Sequence, residues 1–322
     1  MTITRRTLLK AAAVAPAAAA APALITPAAA ALQGPTPVLH QFTLGDARIT
    51  ALLDGHLAIK PEFFTGYDAA KAEAALAGSL YRENAKGLEI PVNGYLVEQG
   101  GEYTLIDSGS AQLLGPDLGA LPSALAAAGV TPDQITTVLL THIHPDHSGG
   151  LLSPDGSAAF ANAELAVAAA EWDYWHDEAV LAAVPDESRG FFQTARSSVA
   201  PYANRLKLLK GEAEAAKGLS AVPLPGHTPG HTGFMLDAGS EALLFWGDVV
   251  HSTALQFAEP DWTIPFDVDQ ALAAQTRRQM FDRAMADDLL VVGMHLDFPG
   301  LGKVQRASEG YRFHQAPWQF GL

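Results

Sequence analysis

The sequence predicts one large mixed domain of the α+β class, and three observations carry that expectation. Short apolar, β-branched runs end directly in histidine or aspartate. Longer stretches of helix-forming residues lie between them. The chain has 322 residues, 48% of them hydrophobic, enough for a full single core.

Taken in order, the elements begin with a leader. Thr4-Arg5-Arg6-Thr7-Leu8-Leu9-Lys10 precedes an Ala-rich apolar run to about Ile25, with small residues at Ala28 to Ala31. This reads as a twin-arginine signal peptide over 1–31, removed from a single domain over 32–322, and implies a periplasmic or secreted protein. Pro16 and Pro22 interrupt a run that is too weakly apolar for a stable membrane anchor. Ile90 to Val97 and Tyr103 to Ile106 read as a hairpin around Gly100-Gly101, ending at Asp107-Ser-Gly109. Ser123 to Ala128 and Ala163 to Trp175 read as helices, and Thr136 to Leu140 as a buried strand. Asp177 to Tyr202 shows no clean period and contains Pro185 and Gly190, so a loop or lid is expected there. Glu241 to Trp246 and Leu289 to Met294 read as strands. The helix from about Asp269 to Met285 has Asp267 or Asp269 near its N-cap.

The residues directly after three of these strands carry the chemistry. Thr136–Leu140 leads into Thr141-His142-Ile143-His144-Pro145-Asp146-His147, the second into Gly247-Asp248, and the third into His295; His227 lies in Gly-His-Thr-Pro-Gly-His-Thr. His142 and His144 alternate, so an extended segment points both the same way. Pro145 forces a turn that frees Asp146 and His147 to face elsewhere, and Gly149-Gly150 permits close backbone approach. Five histidines and two aspartates exceed what one tetrahedral ion uses and suit two divalent metals, zinc first, with cobalt, manganese or iron open.

The His-x-His-x-Asp-His cluster, the later His227, Asp248 and His295, and Asp107 at the end of Tyr103-Thr-Leu-Ile resemble the metallo-β-lactamase superfamily from about Val38 onward. The resemblance implies a four-layer αββα sandwich with two metals at one edge of its sheets. It implies His142, His144 and His227 around one ion, and Asp146, His147 and His295 around the other. Asp248 would bridge, and Asp107 would support the ligands without binding metal.

Local features narrow the branch. There is no cysteine, which excludes the β-lactamases with a Cys ligand. Only 27 residues follow His295, too few for the helical domain of glyoxalase II-like thioesterases. The formal charge of −15 becomes −18 once Arg5, Arg6 and Lys10 leave with the signal, which opposes any nucleic-acid partner. Gly247 to Gly310 resembles the methyl parathion hydrolase-like branch and its lactonase relatives. That resemblance implies hydrolysis of small neutral lactones, esters or organophosphate triesters by a metal-bridging hydroxide, with Asp146 and Asp248 as catalytic partners. It also places Leu114, Trp175, Phe192 and Phe266 around the substrate. Acyl-homoserine lactonases often carry Tyr three residues beyond the bridging Asp, where this chain has His251, a candidate hydrogen-bond donor to substrate. A quorum-quenching N-acyl-homoserine lactonase and a di-iron redox member remain alternatives, and a homodimer is left open.

Overall fold

The computed structural model describes residues 36–319 apart from 78, 80, 82–84 and 240, so the expected signal peptide lies outside the described residues. Among the described residues, two seven-stranded sheets face each other. In the first, β1 (Leu39–Leu44), β2 (Ala47–Ile59), β3 (Leu88–Gln99), β4 (Glu102–Ile106), β5 (Ile135–Leu139), β6 (Glu164–Ala168) and β7 (Leu206–Leu209) lie side by side in chain order. The second runs in the same neighbour-to-neighbour manner through β8 (Glu214–Ala216), β9 (Leu219–Pro223), β10 (Thr232–Asp237), β11 (Ala242–Phe245), β12 (Leu290–Val292), β13 (Leu301–Arg306) and β14 (Tyr311–Gln315). The helices are α1 (Ala69–Ala77), α2 (Leu121–Ala127), α3 (Pro145–Ser148), α4 (Ala169–His176), α5 (Glu178–Ala183), α6 (Arg189–Val199), α7 (Thr253–Gln256) and α8 (Gln270–Ala286).

Four layers follow from the two-residue period of each strand. In β11, Leu243 and Phe245 enter the core between the sheets, together with Tyr95, Val97, Ile106 and Leu139. Their neighbours Leu244 and Trp246 face outward, onto Met280, Phe281 and Ala284 of α8. On the other side, Leu96, Val138, Leu165 and Val167 leave the inner face and pack on α2, α4 and α6 through Leu121, Leu125, Trp175 and Phe192. A strand covered on both faces must be apolar at every position, which is why these runs carry little alternation in sequence.

Parallel pairing decides where the loops gather. β4 pairs parallel to β5, β5 to β6, and β11 to β12. The carboxyl ends of β4, β5, β11 and β12 are followed by Asp107, His142, Asp248 and His295. A parallel pair brings its two carboxyl ends to the same edge of a sheet, where binding crevices form.

The predicted hairpin, the short helix and the long helix are present. Asp269, not Asp267, caps the long helix by accepting from the Leu272 amide at 2.9 Å. Two expectations are corrected. Residues 163–175 are not one helix: their first part is β6, paired parallel with both β5 and β7, and α4 starts only at Ala169. Alanine favours helix locally, but here burial between two strands overrides propensity. The expected loop over 177–202 is mostly helical. Pro185 divides it into α5, capped by Asp177 on the Ala179 amide at 2.7 Å, and α6, which buries Phe192, Ala195 and Val199. Two short helices with different buried faces leave no single period to detect.

Candidate metal centre

β5 ends and the chain turns so that His142 and His144 point into one crevice, as their alternation predicts. Pro145 opens α3, and Asp146 and His147 follow on its first turn. The glycines after it matter physically. A Cβ on Gly149 or Gly150 would collide with the carbonyls of Ser110 and Ser108, and the Gly150 amide donates to the Gly109 carbonyl at 2.9 Å. The histidine loop therefore sits flush on the loop after β4. That loop carries Asp107 in a left-handed backbone conformation, φ 56°.

All seven expected ligand side chains converge. His142 Nε2 lies 2.9 Å from His144 Nδ1, which is 2.9 Å from His227 Nε2; His227 Nε2 is 3.2 Å from His142 Nε2. A second group joins Asp146 Oδ2 to His147 Nε2 at 3.5 Å and to His295 Nε2 at 3.4 Å. Asp248 stands between them. Its Oδ2 is 3.3 Å from His227 Nε2 and 3.3 Å from His295 Nε2, while Oδ1 is 3.3 Å from His147 Nε2. His251 Nε2 also meets Asp248 Oδ2, at 3.2 Å, and its Nδ1 is buried without a partner.

The outward nitrogens fix which way the lone pairs point. His147 Nδ1 donates to Asp107 Oδ2 at 2.7 Å, His227 Nδ1 to Asp267 Oδ1 at 2.7 Å, and His295 Nδ1 to the Pro91 carbonyl at 2.8 Å. Thr141 gives its hydroxyl proton to Asp107 Oδ2 and so accepts from His142 Nδ1 at 3.0 Å. In the three-histidine group His142 Nε2, His144 Nδ1 and His227 Nε2 turn inward on one another, and on neutral rings these are lone pairs, which cannot bond one another. His147 Nε2 and Asp248 Oδ1 are buried with no hydrogen-bond partner. A converging set of unmatched acceptors is what a cation satisfies, and ring nitrogens held by carboxylates or carbonyls are characteristic support for metal ligands. The residues fit two divalent ions: His142, His144 and His227 can hold one, and Asp146, His147 and His295 another, with Asp248 within reach of both groups.

The two groups differ electrostatically in the metal-free chain. Burial pushes the His142 and His144 rings well below the usual histidine range, reinforced by neighbouring rings. Burial opposes charge on Asp146 and Asp248 as well, but His147 above all holds both carboxyls well below their ordinary range. Against its own burial, His295 is raised to about 10 by Asp248 and Asp146.

Several supporting residues carry no signal of their own in the sequence. Gln256 receives the His251 amide at 2.6 Å, and buried Arg277 holds the Val249 carbonyl at 2.6 Å. Buried Glu171 joins two ligand loops. A lone Glu or Arg inside an Ala-rich or helical run is indistinguishable from a solvated one. His231 was open to detection, as the second histidine of the Gly-His-Thr-Pro-Gly-His-Thr motif. It accepts the Asp248 amide on Nε2 at 2.9 Å and donates from Nδ1 to the Leu224 carbonyl at 2.8 Å.

The crevice opens into a cavity of about 640 Å³ with apolar walls from Leu57, Ile59, Phe63, Ile90, Phe191 and Ile264. Leu114, Phe266 and His251 line it as expected. Trp175 and Phe192 do not. Both are buried in the core beneath sheet one, where Trp175 stands edge-on to His144 at 5.5 Å, behind the ligands. Phe191 takes the expected place of Phe192, because successive helix positions point in different directions. It joins Phe266, at 5.7 Å between rings, and Phe266 joins Phe63 at 5.6 Å.

A family model for the metallo-beta-lactamase superfamily matches residues 87–295. The chain belongs to the metallo-beta-lactamase superfamily. The two sheets with outer helices are the αββα sandwich of that superfamily. The crystal structure of hydrolase AbOPH, described as in the beta lactamase superfamily, superimposes with a TM-score of 0.84 at 33% identity, over 89% of this chain and 100% of that one. The dizinc quorum-quenching lactonase AidC shares the fold, with a TM-score of 0.80 at 23% identity over 88% of this chain and 99% of AidC. N-acyl homoserine lactonase AiiB of Agrobacterium fabrum is 35% identical over 80 residues, 19% of this chain and 29% of AiiB. A Bacillus sp N-acyl homoserine lactonase is 27% identical over 114 residues, 35% of this chain and 37% of that enzyme. The chain thus matches only 29% to 37% of the length of these two curated lactonases.

Proposed function

We propose that this hydrolase of the metallo-beta-lactamase superfamily is a binuclear metal enzyme that opens small neutral lactones and esters and cleaves organophosphate triesters. The observation that carries the reading is the convergence of seven ligand side chains, split into two groups by Asp248, at the floor of one apolar cavity. Two divalent ions held there would supply an acidified water and a Lewis acid for a carbonyl or phosphoryl oxygen.

The chain's own residues do the rest. Apolar walls displace water from the substrate and seat its alkyl or aryl part. Asp146 combines membership of the ligand group with a place on the cavity lining. Asp248 lines the cavity too but reaches both histidine groups, so Asp146 is the carboxylate left to orient attacking water and return a proton to the leaving oxygen. His251 donates from Nε2 to Asp248, so its buried Nδ1 is an acceptor, suited to an N–H or hydroxyl of the substrate or leaving group.

A second reading, N-acyl-homoserine lactonase, is favoured by the curated lactonases and by an apolar cavity fit for an acyl chain. The discriminating experiment measures kcat/KM for aryl lactones, acyl-homoserine lactones and an aryl phosphotriester on metal-quantified protein. Absence of turnover on every class with two equivalents bound would overturn the reading. Redox-silent metal separates it from the di-iron alternative. We further propose that 1–31 directs twin-arginine export to the periplasm or medium; the Arg5-Arg6 pair supports this.

A further inference from the structure

Glu171 is the first charged residue of α4 and is fully buried. Each of its carboxylate oxygens serves a different ligand loop. Oε1 accepts from the Ile143 amide at 3.0 Å, between His142 and His144, and from the Trp175 indole N–H at 2.6 Å. Oε2 accepts from the Thr228 hydroxyl at 2.5 Å and the Gly230 amide at 3.1 Å, in the loop that carries His227. A Cβ on Gly230 would strike the Glu171 backbone, so this loop is seated directly on the start of α4. Trp175, one turn further on, presses its ring against His144 at 5.5 Å.

The three loop histidines so held are His142, His144 and His227, the group whose ring nitrogens lie within 3.2 Å of one another. Neither oxygen of Glu171 contacts Asp146, His147 or His295; His147 is oriented by Asp107 and His295 by the Pro91 carbonyl. We propose that Glu171 is a positioning residue for the three-histidine metal position alone, and that it makes the two positions unequal in affinity. The inference rests on the binuclear reading. Only a carboxylate meets the requirement. All four neighbours donate, and a glutamine would turn its NH2 group towards one loop and leave an amide there unsatisfied.

The test is metal binding to the full chain, measured with zinc against a competing chelator and with cobalt(II) by visible absorption. Wild type is expected to take two equivalents. In Glu171→Gln one equivalent weakens about tenfold to a hundredfold, the usual cost of losing a residue that orients a ligand, and only that equivalent's cobalt bands shift. Thr228→Val removes one donor at nearly constant volume and should weaken the same equivalent by less. It also keeps the test open should Glu171→Gln fail to fold. Wild type binding fewer than two equivalents would overturn the binuclear reading itself. Wild type binding two, with both equivalents weakened alike or neither changed in the variants, would overturn only the role given to Glu171.

Discussion

His231 Nε2 accepts the backbone N–H of Asp248 at 2.9 Å, so the carboxylate that reaches both histidine groups is aimed by a histidine outside them. Burial lowers the His231 ring to about 3, and its Nδ1 proton is committed to the Leu224 carbonyl, so it is a neutral acceptor at any working pH. Asp248→Ala should therefore abolish most hydrolysis and lower occupancy of both metal positions. His231→Ala should lower kcat/KM about tenfold to a hundredfold with partial metal loss. Metal analysis beside kinetics checks both, and full activity of Asp248→Ala with two ions bound would remove it from the centre.

The aromatic residues divide into two classes with opposite expected phenotypes. Phe266 is exposed at the cavity mouth, so Phe266→Ala should leave thermal stability nearly unchanged. It should lower kcat/KM for aryl substrates about tenfold relative to small aliphatic lactones. Phe192 is buried in the core, and Phe192→Ala should cost about 3–5 kcal/mol of stability without selecting among substrates. Thermal unfolding and a substrate ratio on both variants decide the assignment.

Asp267 supplies a pH signature. Burial opposes its ionisation, yet the hydrogen bond to His227 Nδ1 lowers its pKa to about 2 from an ordinary 3.8. A depressed carboxyl stabilises the folded state above its ordinary pKa and loses that contribution as pH falls through the folded value. The shift is worth about 2 kcal/mol. In metal-free protein, the stability gap between wild type and Asp267→Asn should be constant above about pH 4 and shrink towards pH 2. Urea titrations across that range measure it; a gap independent of pH would contradict the pairing.

His251→Tyr tests the reading of the position beside Asp248. Replacing the ring that meets Asp248 Oδ2 at 3.2 Å with a phenol should raise the ratio of kcat/KM for an acyl-homoserine lactone over an aryl phosphotriester. An unchanged ratio at unchanged metal content would assign His251 to packing.

Export is tested by Arg5→Lys with Arg6→Lys. A receptor that reads the arginine pair should leave the precursor in the cytoplasm although the charge is unchanged. Fractionation with an antibody to the mature domain shows where it accumulates, and normal export would indicate another route.

Much of the candidate site was legible in the sequence because strand ends, alternation and proline are local rules. His142 and His144 had to share a side, and Pro145 had to turn the chain before Asp146. Apolar runs before His142, Asp248 and His295 marked the strands for the same reason. What tertiary structure alone decided depends on contacts distant in the chain. β6 is a strand because it lies between β5 and β7, although Ala163 to Trp175 is locally helical in composition. Phe191 faces the cavity and Phe192 the core because of how α6 is rotated against sheet one, which two adjacent phenylalanines cannot signal. Asp267 became the partner of His227 across 40 residues, leaving the helix cap to Asp269. Glu171 receives donors from loops 28 to 59 residues away, and no local pattern distinguishes such a carboxylate from a solvated one. Chemistry that depends on which residue types succeed one another was written in the chain, whereas orientation, support and cavity shape arose only when the two sheets closed on each other.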